Sequence, residues 1–183
     1  MALGETLLTA EEYLLLPDQD LPNELVRGRI VPLDIPFPRH GQICSEIVYR
    51  LGQYLDDRDL GRLVCNNSGI ITERDPDTVR GADVAFYSYQ RVPRGPLPQG
   101  YLDVAPELIF EVRSPGDRWG YILTKVGEYL EAGATIVCVL DQMTERCLIY
   151  RSEGPLQVLT AEQELTIPDV LPDFRIIVQR FFE

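Results

Sequence analysis

The spacing of apolar residues along the chain predicts an α/β fold in which helices flank a mixed β-sheet. Apolar residues three and four positions apart indicate amphipathic helices over residues 41–58 and 118–132. Residues 106–112 are almost continuously apolar, which is typical of a buried strand. Residues 135–140 and 146–150 predict a β-hairpin. Helix and strand patterns therefore follow each other closely enough to pack in layers around one core.

Shorter patterns complete the predicted order of elements. Thr9 is predicted to cap a short helix, with Glu12 at the capping-box position, and Asp117 to cap the helix that ends at Gly133. The other predicted elements are two strands turning at Gly28 within residues 24–31, strands at 62–65, 69–72 and 83–87, a loop at 91–100, and a last strand or helical turn at 174–178. Because no repeat or change of composition divides the chain, residues 1–183 are predicted to form a single domain.

The acidic composition restricts the partners that the chain can bind. Among 183 residues, 29 aspartates and glutamates outnumber 17 lysines and arginines, and the net charge of -12 opposes non-specific binding of nucleic acid. A local basic patch remains compatible with this charge. The cations predicted to frame one cleft are Arg91, Arg94, Arg113, Arg118 and Lys125. No apolar run is long enough to span a bilayer, and the first residues do not resemble a signal peptide, so we expect a cytoplasmic protein without a membrane partner.

The cysteines are spaced in a way that does not predict a zinc cluster. The chain has 4 cysteines without a Cys-x-x-Cys pair, and His40 is its only histidine. Cys44, Cys138 and Cys147 lie among apolar neighbours, which favours buried, reduced thiols.

Two acids in apolar strands are the candidate chemistry. Glu111 lies near the end of the 106–112 strand, and Asp83 lies in the apolar stretch that precedes it along the chain. A buried carboxylate needs a cation or hydrogen-bond donors, and two that converge can share a hard divalent cation such as Mg²⁺. The alternatives are a solvent-facing Asp83 at the start of its strand, and a salt bridge from Glu111 to Arg113 or Arg118.

Lys125 lies on the shoulder of the apolar stripe formed by Ile122, Val126 and Tyr129. From there its ammonium can reach the end of the neighbouring strand, where it can hold an attacking water or stabilise charge that develops on a phosphate. The alternative is an exposed lysine that pairs with Glu128 or Glu131 on its own helix.

Four further residues are secondary candidates. The backbone carbonyl of Val112 is a natural third oxygen ligand, and Glu24 can supply another, although an exposed glutamate is the commoner outcome at the start of a strand. Arg113 cannot act as a general base, but it can orient the acids or bind phosphate. His40 has the same two options, or is simply a loop residue before the helix that starts near Gly41.

Several short motifs, in their order and spacing, resemble a known family over nearly the whole chain. They are LTAEEYL at 8–14, NELVRG at 23–28, HG at 40–41, RGADVA at 80–85, PELIFEVRSP at 106–115, and then Lys125, Tyr129, Gly133 and VLD at 139–141. Together they resemble the Uma-type restriction endonuclease family, also called domain of unknown function 820, within the PD-(D/E)XK nuclease superfamily. Two positions differ from that pattern, because Ala82 stands where proline usually precedes the first acid and Arg113 stands where the family often has an aliphatic residue.

The resemblance implies a restriction-endonuclease-like core and a set of site residues. It implies metal ligation by Asp83 and Glu111 with support from Glu24, and it assigns the superfamily's lysine to Lys125 on the following helix. The expected activity is metal-dependent hydrolysis of phosphodiester bonds in nucleic acid, with DNA as the expected substrate and Mg²⁺, or else Mn²⁺, as the cofactor. In the expected mechanism a metal-activated water attacks phosphorus.

Cutting both strands of a duplex needs two active sites, so a homodimer is expected, with the apolar tail at 174–182 as an exposed contact surface. Two other functions remain open. One is a non-catalytic dimeric module that retains the nuclease fold, which the acidic composition favours. The other is a hydrolase of a different phosphoester.

Overall fold

A large mixed sheet organises the chain in the computed structural model, which describes residues 7–17 and 21–183. The helices are α1 (Ala10–Leu14), α2 (Pro38–Leu55) and α3 (Trp119–Glu131), followed near the end of the chain by a 3₁₀ turn at Val178–Phe181. The strands are β1 (Asn23–Val26), β2 (Arg29–Pro32), β3 (Gly61–Glu73), β4 (Thr78–Ser88), β5 (Leu108–Arg113), β6 (Ile136–Asp141), β7 (Arg146–Arg151), β8 (Gln157–Leu159), β9 (Glu164–Thr166) and β10 (Arg175–Ile177).

The order of strands places β4 and β5 in the middle of the sheet. Within the described residues the main sheet has 8 strands, which pair in the order β2-β1-β4-β5-β6-β7-β8 with β3 as the eighth, paired with β4 along most of its length. The β5–β6 pair is parallel and the other pairs are antiparallel. A parallel pair requires a crossover connection, and α3 provides it.

Each face of the sheet is covered by a different helix. On one face, α2 packs Ile43, Ile47 and Leu51 against β4 and β5, together with the C-terminal segment. On the other face, α3 packs Ile122, Val126 and Tyr129 against the sheet. Since side chains alternate along a strand, neighbouring residues of β4 and β5 belong to opposite cores. The predicted mixed α/β architecture is therefore present.

The helices agree with the sequence patterns except near their ends. Thr9 and Glu12 form the predicted capping box of α1. The helix α2 begins at Pro38, three residues earlier than predicted, because a proline is well suited to the first turn; His40 therefore lies in the helix and not in a loop. The N-cap of α3 is Arg118 and not Asp117, since the Asp117 carboxylate accepts a hydrogen bond from the backbone of Ser114 instead.

One prediction about strands and one about an exposed surface are wrong. The predicted strands at 62–65 and 69–72 are one strand, β3, which continues through a bulge where Asn66 and Asn67 adopt positive φ angles of 66° and 53°. The tail at 174–182 is not an exposed contact surface, because Phe174, Phe181 and Phe182 are 5%, 0% and 5% exposed and complete the core beneath α2. The predicted hairpin is present as β6 and β7.

The cysteines are all free thiols. Cys138 and Cys147 are buried, Cys44 is half-buried and Cys65 is exposed. Along residues 7–17 and 21–183, no helix has both the length and the apolar character needed to cross a membrane.

Candidate active site

Asp83 and Glu111 lie where the ladder between β4 and β5 ends. The last pair of that ladder joins Val84 to Phe110, so the two acids are the next residues of their strands. The Asp83 Oδ2 atom accepts a hydrogen bond of 2.7 Å from the backbone N–H of Val112, which a ladder carbonyl would otherwise bind. Asp83 is only 8% exposed, and the alternative of a solvent-facing residue is therefore wrong.

Glu111 is held by two donors from α3. Its Oε2 accepts from the Lys125 Nζ at 2.9 Å and its Oε1 accepts from the Tyr129 hydroxyl at 2.8 Å. The alternative salt bridge to Arg113 or Arg118 is therefore wrong. Burial raises the pKa of Glu111 to about 7, because desolvation and the charge of Asp83 together outweigh the favourable charge of Lys125.

Lys125 is buried at the centre of this group. Besides Glu111, its ammonium donates to the Gly81 carbonyl at 3.0 Å and lies 3.4 Å from Glu24 Oε1. Burial alone would lower the pKa of Lys125, but the charges of Glu111 and Glu24 raise it above its usual value, so the lysine stays protonated. The alternative of an exposed lysine paired with its own helix is wrong.

Glu24 is buried and bound on both oxygens. Its Oε1 accepts from the Gly81 backbone N–H at 2.9 Å, and its Oε2 accepts from Arg80 Nη1 at 2.9 Å and from the Tyr121 hydroxyl at 2.7 Å. The alternative of an exposed glutamate is wrong, since Glu24 is 2% exposed. The lysine, Arg80 and Tyr121 together keep the pKa of Glu24 below its usual value despite burial.

Arg80, Tyr121 and Tyr129 are the residues of this network that were not predicted. Arg80 is 2% exposed and binds Glu128 of α3 at 2.9 Å in addition to Glu24. The signal was present, because Arg80 interrupts an apolar strand in the same way as Glu111 does. The two tyrosines gave no such signal, since an aromatic residue on a helical stripe is normally part of a core.

His40 reaches Asp83 from the first turn of α2. The imidazole Nε2 lies 3.2 Å from Asp83 Oδ2, and Nδ1 lies 3.5 Å from the Cys44 Sγ. Burial lowers the pKa of His40, but the hydrogen bond and charge of Asp83 raise it by more than burial lowers it, so the pKa lies above its usual value. Unlike the α3 residues, His40 belongs to the face of the sheet that α2 covers.

Most of the predicted basic cleft is dispersed. Arg113 binds Asp141 at 2.9 Å, with its guanidinium carbon 4.6 Å from the centre of the Trp119 ring. Arg91 binds Glu107, and Arg94 binds Asp59. The prediction that five cations frame one cleft is wrong, because each of these arginines is neutralised by an acid nearby.

A cavity of about 800 Å³ opens in front of the two acids. Asp83, Glu111 and Val112 form part of its wall, together with His40 and Lys125. Arg118 is the other cation among the described residues that line it. Residues 31–37 also line the cavity, and Ile35 and Phe37 within this segment are each 71% accessible. The cavity thus combines buried carboxylates with exposed apolar side chains.

Comparisons with known proteins identify the family and the fold of the chain. The Uma2 family, described as "Putative restriction endonuclease", matches residues 10–179 of the chain. This chain is a member of the Uma2 family. The Uma2 protein also resembles a solved structure, a "putative nuclease belonging to DUF820" from Anabaena variabilis ATCC 29413. The two chains are 20% identical with a TM-score of 0.83, over 96% of this chain and 97% of that one.

At that identity the likeness shows the fold alone, and it confirms the predicted fold class of this Uma2 chain. The family match confirms the resemblance seen in the motifs. No curated protein matches the sequence.

Proposed function

We propose that this Uma2 protein is a Mg²⁺-dependent endonuclease that hydrolyses phosphodiester bonds in DNA, with Mn²⁺ as an alternative cofactor. One observation carries the proposal. The two acids that end the β4–β5 ladder line one cavity, and the ammonium of Lys125 lies 2.9 Å from Glu111. Membership in a family described as restriction endonucleases supports the choice of substrate.

The donor set fits a hard divalent cation. Asp83 and Glu111 offer carboxylate oxygens, and the Val112 backbone lies beside them through its bond to Asp83. Burial and the charge of Asp83 raise the pKa of Glu111, and a bound cation would counteract both effects. Once bound, the cation would polarise a phosphate and lower the pKa of a bound water.

Lys125 acts in this proposal mainly by positioning Glu111. The ammonium donates hydrogen bonds to Gly81 and Glu111, and its contact with Glu24 at 3.4 Å is an ion pair only. That contact is the one that the ammonium would exchange most easily for a phosphate oxygen or a water. Because its pKa is raised, Lys125 cannot remove a proton.

Glu24 serves as support and not as a ligand in the form of the site described above. Both of its oxygens accept hydrogen bonds from the chain, and a cation would have to displace Arg80, Tyr121 or the Gly81 N–H. Its contacts fix Gly81, whose carbonyl binds Lys125 and Tyr129. We therefore assign Glu24 the task of holding the lysine in place.

A cleavage assay tests the proposal. Plasmid, linear duplex and single-stranded DNA are incubated with the protein and Mg²⁺ or Mn²⁺, beside Asp83→Asn and Glu111→Gln. Removing either ligand should reduce cleavage by about 10²-fold or more, as loss of groups that stabilise transition-state charge does. The matched control is Asp141→Asn, a buried strand-end acid that binds Arg113 and does not line the cavity. Cleavage that survives in Asp83→Asn, or that falls equally in Asp141→Asn, would contradict the assignment.

A second candidate function is a non-catalytic module that keeps the nuclease fold. The observation that favours it is the charge. The chain has a net charge of -12, and the only arginine or lysine side chains among the described residues of the cavity wall are Arg118 and Lys125. DNA affinity measured with Ca²⁺ and with chelator separates the two. The endonuclease requires tighter binding with Ca²⁺, because the cation neutralises the acids that repel phosphate. Equal affinity, or none at low salt, favours the module.

The homodimer stays part of the proposal, but its contact surface must be a different one. The C-terminal aromatic residues belong to the core, so they cannot supply it. Sedimentation at micromolar concentration tests the assembly, and a monomer that still makes double-strand breaks would remove the reason for expecting a dimer.

A further inference from the structure

Three side chains of different chemistry meet on the α2 side of Asp83. One donor atom from each of His40, Cys44 and Asp83 lies within 4.8 Å of the other two. His40 and Cys44 are one turn apart on α2, so they occupy the same face of the helix. Asp83 comes from β4, which that face approaches. A nitrogen, a sulfur and an oxygen donor are thereby brought to one point.

The ligand atoms of this group lie close enough for side-chain rotation to bring them to a single small cation. The His40 Nε2 atom is 3.2 Å from Asp83 Oδ2, and Nδ1 is 3.5 Å from Cys44 Sγ. Two atoms that bind one zinc ion at about 2.0 to 2.3 Å lie within roughly 4 Å of each other. The two short contacts use different nitrogens of the His40 ring, and one cation binds only one of them, so the imidazole must rotate to offer that nitrogen to a cation together with Cys44 and Asp83. His40 and Asp83 line the cavity, which gives the cation a path of entry.

The donor set differs from that of the proposed Mg²⁺ site. Magnesium takes oxygen ligands and does not compete for a thiol, whereas zinc and cobalt bind imidazole and thiolate readily. Burial raises the pKa of Cys44, so the thiol carries a proton in the metal-free protein. A cation must displace that proton, which zinc does and magnesium does not.

We infer that His40, Cys44 and Asp83 form a binding site for a thiophilic divalent cation of the Zn²⁺ class. This site shares Asp83 with the proposed Mg²⁺ site, and its occupation would withdraw that ligand from it. Zinc would then be an inhibitor of magnesium-dependent activity and not its cofactor. Formation of the thiophilic site does not depend on whether the protein cleaves DNA.

Cobalt is the probe, because a thiolate bound to Co²⁺ gives a charge-transfer band in the near ultraviolet. The reduced full-length chain is titrated with Co²⁺ in the absence of nucleic acid. We expect a band that saturates at one equivalent, that Zn²⁺ abolishes, and that excess Mg²⁺ leaves in place. Cys44→Ser should remove the band, and His40→Gln should weaken Co²⁺ binding at least about 10-fold.

The matched control is Cys65→Ser, which must keep the band. Cys65 is the exposed thiol of the chain, and its charge is one of the causes that raise the pKa of Cys44, so it is a competing thiol ligand. A band that survives in Cys44→Ser, or that is lost only in Cys65→Ser, would overturn the inference. Absence of a band at saturating cobalt would do the same.

A second measurement uses the unmodified chain and so does not depend on how the variants fold. His40 is the only histidine, and its imidazole signals in an NMR spectrum are therefore assigned without further work. One equivalent of Zn²⁺ should shift those signals, and the same concentration of Mg²⁺ should not. Imidazole signals that stay unchanged with zinc would exclude His40 as a ligand and end the proposal, whatever the outcome of the cleavage assay.

Discussion

Asp83 and Glu111 occupy equivalent positions at the end of one ladder, yet their surroundings are opposite. Glu111 is 3% exposed and is bound by the ammonium of Lys125 and the hydroxyl of Tyr129, both from α3. Asp83 is bound by a backbone N–H and by the imidazole of His40 from α2. One acid is therefore paired with a buried permanent cation, and the other is held by the backbone and by a titratable group.

This difference implies that the two acids contribute differently to the stability of the fold. A buried ion pair contributes little net stability, but removing one partner leaves an uncompensated charge in a low dielectric. We therefore expect the fold to depend more on Glu111 than on Asp83, whose acceptor oxygen an uncharged amide can also supply. A cation that binds between them would offset the unfavourable burial of the Glu111 charge, and it could bind Asp83 without breaking an ion pair with a lysine.

The largest expected effect comes from removing the shared cation. Lys125→Met leaves Glu111 and Glu24 buried without the ammonium that binds both, so we expect the free energy of unfolding to fall by about 3 to 5 kcal/mol. Urea denaturation measures it. Arg118→Met is the control, because Arg118 lines the same cavity but is exposed, and its loss should change stability by less than about 0.5 kcal/mol. Equal losses in the two variants would contradict the comparison.

The next effect is a dependence of stability on pH in the absence of metal. The pKa of Glu111 is raised to about 7 in the folded chain, while an unfolded glutamate titrates near ~4.3. Between these values the folded state binds more protons, so the contribution of Glu111 to stability decreases as pH rises through this window and is constant above it. The total decrease should be of the order of 3 kcal/mol.

Unfolding measured in chelator at pH 5 and pH 8, for the native chain and for Glu111→Gln, isolates this group. Other acids with lowered pKa values, such as Glu24, oppose the trend in both proteins and cancel in the difference. The native chain should lose more stability than the variant between the two pH values. An identical change in both would show that Glu111 is ionised as easily as an exposed glutamate.

The smallest expected effect on stability is that of Asp83→Asn. The amide oxygen can still accept the hydrogen bond from Val112, so the free energy of unfolding should change by no more than about 1 kcal/mol. The same change should lower the pKa of Glu111, because the charge of Asp83 is one of the causes that raise it. Carboxyl NMR follows that pKa, and an unchanged value would mean that the two acids do not interact.

Elements that depend on local pattern were predicted well from the sequence. The α1 capping box, the amphipathic stripe of α2 and the β6–β7 hairpin each follow from residues within a few positions of each other. The resemblance carried in the motifs predicted the family, and the family match confirms it. The roles of Asp83, Glu111 and Lys125 stay predictions, although the structure brings all three to one cavity.

Other predictions that failed concern the partners of a residue. An apolar tail at 174–182 gives the same pattern whether it packs on another subunit or, as here, beneath α2. The arginines at 91, 94 and 113 gave a basic pattern near the site, but Glu107, Asp59 and Asp141 neutralise them from distant parts of the chain. Such pairings depend on where the strands and loops meet, which composition does not report.

The sequence by itself determined which charged residues need a binding partner, because a charge within an apolar strand must be compensated wherever the strand is buried. It marked Asp83 and Glu111 on that ground alone. Only the tertiary structure decided who the partners are. Lys125 and Tyr129 reach Glu111 because the parallel β5–β6 crossover lays α3 over the end of β5, and His40 and Cys44 reach Asp83 because α2 covers the opposite face. Residues so far apart in the chain meet only through the packing of two helices on one sheet.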